Sequence, residues 1–199
     1  NQYKVLDVFQ QNRLSDLHFA WNTGYGYDDP GRAMIEKVYA EVFHAEAALC
    51  RPTIVNGTHA LAITLLGLLR PGDELIYATG TPYDTLETVI GITNYVPGTG
   101  SLKDYGVTFK QVELLPDGNI DFEGLRKAIT PKTKMITLQR STGYGWRPAI
   151  TIEKIKISYV SADRDPYNAV MKYNIVNAVT GSALFFAENS LKIKEDSQS

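Results

Sequence analysis

Between residues 53 and 138 the chain alternates short apolar or β-branched runs with stretches of helical spacing, and Pro, Gly and Asp mark the joints. That alternation leaves few folds open. Thr53-Ile54-Val55 reads as a short strand, Gly57-Thr58 as a turn, and Leu61 to Leu69 as an apolar helix. Pro71-Gly72-Asp73 turns the chain into a strand at Glu74 to Ala78. Tyr83 to Ile92, opening with Asp84 and carrying Leu86, Val89 and Ile90, has helical spacing. Val107 to Leu115 alternates like a strand, Pro116-Asp117-Gly118 turns, Asp121 to Ile129 is a short amphipathic helix, and Lys134 to Leu138 is another strand. Repeated strand–turn–helix–strand units predict an α/β layer fold with a mainly parallel sheet.

Helical periodicity also runs from Arg32 to Leu49, with Ile35, Val38, Tyr39, Val42 and Phe43 on one face. Pro30 and Gly31 mark its start and Pro52 its end. Gly98-Thr99-Gly100-Ser101 reads as a flexible, solvated loop. Thr-Gly-Tyr-Gly occurs at Thr23 and again at Thr142, too short for a repeat unit and read as glycine-rich loop chemistry. Beyond Trp146-Arg147-Pro148 a strand is expected at Ile155, Ile157 and Tyr159, and Lys192 to Ser199 reads as a frayed polar tail.

At 199 residues the chain can build one sizeable core, burying about 70% of its unfolded surface. A formal charge of −2 argues against nucleic acid or an acidic membrane surface as partner. The longest apolar run, Ala60 to Leu69, is well short of the ~20 residues that span a bilayer. Cys50 is the only cysteine, which excludes an intrachain disulfide and a cysteine metal site, and a reducing, cytoplasmic setting is expected. The first residues show neither a signal-peptide pattern nor an initiator Met, so the chain is expected to begin inside a longer one.

Asn56-Gly57-Thr58-His59-Ala60 carries the chemistry. A glycine and a small hydroxyl residue at a helix start offer backbone N–H groups and the positive end of the helix dipole, a ready phosphate site. No Gly-Lys-Ser or Gly-Lys-Thr follows, so the spacing is not that of a nucleoside-triphosphate loop. The plain alternative is that Thr58 caps a buried helix.

From Lys4 to about Ile155 the chain resembles the methionine gamma-lyase-like, or aluminium-resistance, family of pyridoxal-phosphate enzymes. The match is carried by Thr23-Gly24-Tyr25-Gly26-Tyr27-Asp28-Asp29, Ala45-Glu46-Ala47-Ala48, Arg51-Pro52, Gly57-Thr58-His59-Ala60, Arg70-Pro71-Gly72-Asp73-Glu74, Pro82-Tyr83-Asp84-Thr85-Leu86-Glu87 and Ser141-Thr142-Gly143-Tyr144-Gly145-Trp146-Arg147-Pro148. Leu115-Pro116-Asp117-Gly118 and Pro131-Lys132-Thr133-Lys134-Met135-Ile136 extend it. The resemblance implies part of a fold-type-I, aspartate-aminotransferase-like large domain, pyridoxal 5'-phosphate as cofactor, and carbon–sulfur cleavage in a small amino acid such as cystathionine or methionine.

By the same resemblance, Gly57, Thr58 and His59 hold the cofactor phosphate and Tyr83 is the catalytic aromatic residue stacked on its ring. Tyr25, Tyr27 and Arg32 correspond to a segment reaching a neighbouring subunit's phosphate, implying a homodimer or homotetramer, and an arginine fork suits that group. Arg140 and Arg147 are candidates for a substrate carboxylate, with structural ion pairs as the alternative. No metal is expected. The implied organisation is a subunit-contact region over 1–50, a cofactor-binding α/β domain over 51–155, and a tail over 156–199 outside the pattern.

The family pattern also demands a pyridine-facing aspartate and a Ser-Leu-Ile-Lys segment followed by Asn-Pro-Gly, whose lysine forms the Schiff base. Sixteen positions separate Arg147 from Asp163 (163 − 147), too few for a strand and a crossover helix together. Asp163 and Asp165 are therefore poor matches to the aspartate. Ser190-Leu191-Lys192-Ile193-Lys194 echoes the lysine segment but lacks Asn-Pro-Gly. A truncated or altered lyase is expected, and a non-catalytic binding or dimerisation module on the same fold is the alternative. Two further readings are weak. No Gly-x-Gly-x-x-Gly follows a first strand, and Asp163-Arg164-Asp165 with Asn168-Ala169 only faintly resembles a cadherin-type calcium strand.

Overall fold

The computed structural model describes residues 1–27, 29–142 and 145–151, and the backbone of Ala183–Phe186. The chain divides into two compact units, Asn1–Thr64 with Asn174–Ser199, and Leu65–Tyr173.

In the first unit, α1 (Gln2–Gln11) packs against α2 (Pro30–Phe43). The Asn12 side chain bridges them, donating to the Val8 carbonyl and to the Glu41 carboxylate. Asp29 starts α2 by accepting the Arg32 N–H at 3.0 Å, with Pro30 at the first helical position, where its missing N–H costs nothing. The helix stops well before Leu49. His44 adopts the left-handed conformation (φ 55) and Ala45 N–H closes the end on the Ala40 carbonyl at 2.8 Å.

Ala47–Cys50 is instead a strand, β1, paired antiparallel with β5 (Ala183–Phe186) from Ala47↔Phe186 to Cys50↔Ala183. A helical apolar period continued through these residues by chance, and a distant strand overrode it. Glu36 of α2 secures β1 by accepting the Cys50 N–H and pairing with Arg51.

Thr53-Ile54-Val55 is the end of a turn followed by irregular chain rather than the expected strand. Pro52 begins it, Ile54 N–H bonds the Arg51 carbonyl at 3.0 Å, and the Ile54 side chain plugs a small core with Ala60, Leu49 and Ile63. The β-branched run serves burial at one point, not a ladder. Helix α3 (Gly57–Leu68) follows as expected.

The second unit holds the parallel sheet. β2 (Glu74–Tyr77) is central, with β3 (Thr108–Gln111) and β4 (Thr133–Thr137) parallel on either side. Central strands buried on both faces read as continuous apolar runs, and Leu75, Ile76, Tyr77 and Ala78 are all at most 2% exposed. Alternation sends Ile76 and Ala78 to one face, where Val112, Leu125, Ile136 and Leu138 join them beneath α5 (Phe122–Ala128). It sends Leu75 and Tyr77 to the other face, where the Tyr77 ring lies 5.9 Å from that of Phe109. Helix α4 (Asp84–Ile90) connects β2 towards β3 and buries Leu86 and Ile90.

The expectation of a flexible Gly98–Ser101 loop is corrected, while residues 98–100 are exposed as expected. The Asp104 carboxylate accepts N–H bonds from Gly98, Gly100 and Ser101, and hydroxyl bonds from Ser101 and Tyr95. Ser101 is buried and Lys103 lies over the Tyr95 ring. Glycines at φ 83 and φ 85 let the backbone curl round one carboxylate. The strand expected at 155–159, Asp163, Asp165, Lys192, Lys194 and the polar tail all lie outside the described residues.

Candidate functional site

Parallel strands send all their carboxyl ends to one edge, and that edge is where open α/β sheets receive ligands. In the second unit the segments after β2 (Thr79–Asp84), β3 (Glu113–Gly118) and β4 (Gln139, Thr142 and Gly145–Pro148) enclose an open cleft of about 680 Å³. Its apolar wall includes Pro82, Tyr83, Leu115, Pro116, Trp146 and Pro148. Asp84, Glu87, Glu113 and Asp117 supply negative charge, and Arg147 is the cation among the described lining residues.

Tyr83 stands where the helix begins, and its carbonyl accepts the Leu86 and Glu87 N–H groups that open α4. Its side chain is 37% exposed, half-open to the cleft it lines. The acidic lining is structurally occupied at several points. Thr93 donates to Glu87, Gln111 donates to Glu113 at 2.6 Å, and Asn119 donates to Asp117 through both its backbone and side-chain N–H groups. Gly80, at φ 78, lies so close to Glu113 that a Cβ there would stand 2.8 Å from a carboxylate oxygen. Asp84, Glu87 and Asp117 lay inside the family motifs without a role and Glu113 lay outside them, because only closure of three separated loops makes them neighbours. Trp146 lay inside the family motif without a role, and in the structure it is fully exposed at the rim.

Arg147 lines the cleft, and burial pushes its pKa down. Its Nη2 donates to the carbonyls of Gln139 (3.0 Å) and Ser141 (2.6 Å), and its Nη1 to that of Pro148 (3.1 Å). Arg140 is not among the lining residues. Its Nε donates to the Ile150 carbonyl at 3.0 Å, and Ile150 N–H returns to the Arg140 carbonyl at 3.2 Å. Both arginines bond carbonyls, and among the described residues neither forms an ion pair.

The remaining predicted residues lie in the first unit. Asn56, not Thr58, caps α3, its side-chain oxygen accepting the His59 N–H at 2.8 Å. The Asn56 cap therefore takes one of the backbone N–H groups that the helix start was expected to offer a phosphate. His59 Nδ1 in turn accepts the Val55 N–H at 3.4 Å, folding that side chain back on its own turn. At Gly57 a Cβ would meet nothing within 4 Å, so the helix start is uncrowded there. Tyr25 and Tyr27 are more than 80% exposed. Arg32 is held by its own loop, with Nη2 3.4 Å from the Gly24 carbonyl and Nε 3.7 Å from Asp29. Among the described residues no helix is long and apolar enough to cross a membrane, and no three metal-ligating side chains cluster.

The architecture is the fold-type-I fold, one seen in pyridoxal-phosphate proteins. The pyridoxal-5'-phosphate-dependent protein YhfS of Escherichia coli superposes with a TM-score of 0.58 over 86% of this chain and 42% of its own, at 16% identity, a likeness of fold alone. Within that class the match is specific, and the chain belongs to the methionine gamma-lyase family, whose profile covers residues 1–172. A proposed cystathionine beta-lyase involved in aluminium resistance from Listeria innocua is 53% identical, with a TM-score of 0.80 over 87% of this chain. The uncharacterized protein YnbB of Bacillus subtilis is 51% identical over 156 residues, 78% of this chain. The chain spans 42% of the Listeria protein's length and 37% of the Bacillus protein's.

Proposed function

We propose that the protein is a pyridoxal-phosphate-dependent carbon–sulfur lyase acting on a small sulfur amino acid of the cystathionine or methionine type, and that residues 1–199 supply part of its machinery. The observation carrying this reading is the cleft at the carboxyl ends of β2, β3 and β4 with Tyr83 in its wall. When bound, pyridoxal phosphate supplies an electron sink for negative charge developing at the substrate's α-carbon.

Fit can be judged group by group. Tyr83 offers a flat, half-exposed ring suited to stacking on a heteroaromatic plane. Gly57 and Thr58 offer a helix start suited to a phosphate ester, with no side chain crowding Gly57. His59 contributes less than the resemblance implies, because its N–H serves the Asn56 cap. Arg140, exposed and bonded to the Ile150 carbonyl through Nε, is proposed as a carboxylate partner. Tyr25, Tyr27 and Arg32 are proposed to serve a second subunit. A cytoplasmic setting rests on the lone Cys50.

The experiment is a titration with pyridoxal phosphate and, in parallel, with pyridoxal lacking the phosphate. Gly57→Val introduces side-chain atoms where the fold leaves open space, so stability should change little while pyridoxal-phosphate affinity falls about tenfold or more and pyridoxal affinity does not move. Tyr83→Ala should weaken both ligands. Equal affinity of wild type and Gly57→Val for pyridoxal phosphate would remove the phosphate role from this turn.

A further inference from the structure

The arginine at the cleft is spent in an unusual way. A guanidinium has five N–H donors, and it grips a carboxylate bidentately either side-on, through Nε and Nη2, or end-on, through both Nη groups. In Arg147 both Nη2 hydrogens go to the Gln139 and Ser141 carbonyls, and Nη1 donates to Pro148. Either fork would therefore have to break a carbonyl bond.

Two of those bonds tie residues before Trp146 to the residue after it, and the third runs from Arg147 to the next residue. Further ties close the same segment. Arg140 and Ile150 exchange two bonds, Gly145 N–H bonds the Thr142 carbonyl at 2.9 Å, and Ile150 is 1% exposed. Pro148 rests against Gly118, where a Cβ would stand 3.2 Å from its Cδ. On this fastened rim Trp146 lines the cleft with its side chain fully exposed, although so large an apolar side chain is ordinarily covered at least in part.

We propose that Arg147 is a positioning residue, fastening the rim so that Trp146 stands over the cleft, and that Trp146 covers the apolar arm of a bound ligand. Pro82, Tyr83, Leu115, Pro116 and Pro148 make the rest of that apolar wall. The arm's identity, a thioether, rests on the lyase reading. A polarizable sulfur at the edge of an indole suits this contact.

The chain has two tryptophans, so Trp21→Phe leaves Trp146 as the only tryptophan, excited at the red edge where the tyrosines do not absorb. In that background Trp146 anisotropy and acrylamide quenching are compared for Arg147, Arg147→Lys and Arg147→Ala, with circular dichroism verifying the fold. L-Methionine is then titrated with and without pyridoxal phosphate, whose own binding is followed by absorbance. Lysine keeps the charge but cannot hold three carbonyls in one plane, so both variants should lower anisotropy and raise quenching. Methionine should shift Trp146 emission to the blue, with severalfold weaker apparent affinity in Arg147→Lys.

Wild-type anisotropy and affinity in Arg147→Lys would assign the residue to charge recognition and overturn the proposal. Emission unmoved by methionine in both arms would overturn the role of Trp146, whether or not the cofactor binds. No change in the cofactor's absorbance on adding protein would count against the cofactor reading alone, since anisotropy still decides Arg147. If Arg147→Ala does not fold, the lysine variant carries the comparison.

Discussion

Glu74 is 5% exposed at the start of the central strand, where a bare carboxylate would be costly. Burial works against its charge. Lys110 at 2.8 Å, with hydroxyl bonds from Thr133 (2.7 Å) and Thr130 (3.0 Å), more than offsets that and draws its pKa below the usual range. Such a depressed group stabilises the fold above the ordinary carboxylate range, and the stabilisation is lost as pH falls through the lowered value. Glu74→Gln should cost about 1 kcal/mol near neutral pH, because the half-exposed Lys110 loses its ion pair but can still reach water and the Ala128 carbonyl. Urea unfolding between about pH 6 and pH 3 should then depend on pH less steeply than in wild type. Equal slopes would show that the network is not coupled to folding. Asp104 is likewise held below its usual range, first by the Gly98 N–H and then by the Tyr95 hydroxyl. Asp104→Ala should speed hydrogen exchange at Gly98, Gly100 and Ser101 while leaving β2 protected. Unchanged exchange there would mean that backbone turns alone hold the loop.

At the scale of elements, α3 begins with a division of labour. Asn56 closes the turn by taking the His59 N–H, and Gly57 leaves the approach open. Asn56→Ala should destabilise the protein by about 1 kcal/mol, read as a lower urea midpoint at unchanged slope. If freeing the His59 N–H instead left stability untouched, the cap would be ornamental. The same reasoning explains why α2 ends at Phe43. His44 at φ 55 redirects the chain, and β1 finds its hydrogen bonds on β5 rather than along the helix.

For the whole molecule, the exposed Phe19, Trp21, Tyr25 and Tyr27 in one short segment support an assembly with a second copy of the chain. Light scattering at micromolar concentration should report a dimer or tetramer, and a monomer would argue against the resemblance on this point. Residues 1–199 on their own should release no appreciable keto acid from cystathionine, cysteine or methionine with pyridoxal phosphate added, because no segment in them carries the family's lysine with Asn-Pro-Gly after it. Robust turnover abolished by Lys192→Ala or Lys194→Ala would reverse that reading and place the catalytic lysine in the final stretch.

Local periodicity and turn chemistry by themselves determined β2, α4, β3, α5 and β4 in order, because each has its own apolar spacing and Pro, Gly or Asp at its ends. Family membership was legible separately, through a resemblance carried by ordered motifs dense enough to match as a set. Tertiary structure decided the rest. The apolar period through Leu49 and the β-branched run at Thr53 to Val55 were misleading, since pairing with β5 and burial of Ile54 depend on residues far away or on one contact. The cleft of Glu113, Asp117, Tyr83 and Trp146 exists only once parallel strands bring three loops to one edge. The work of Arg147 was equally hidden, because a guanidinium's role is set by where its five hydrogens land, and carbonyl oxygens leave no mark in a sequence.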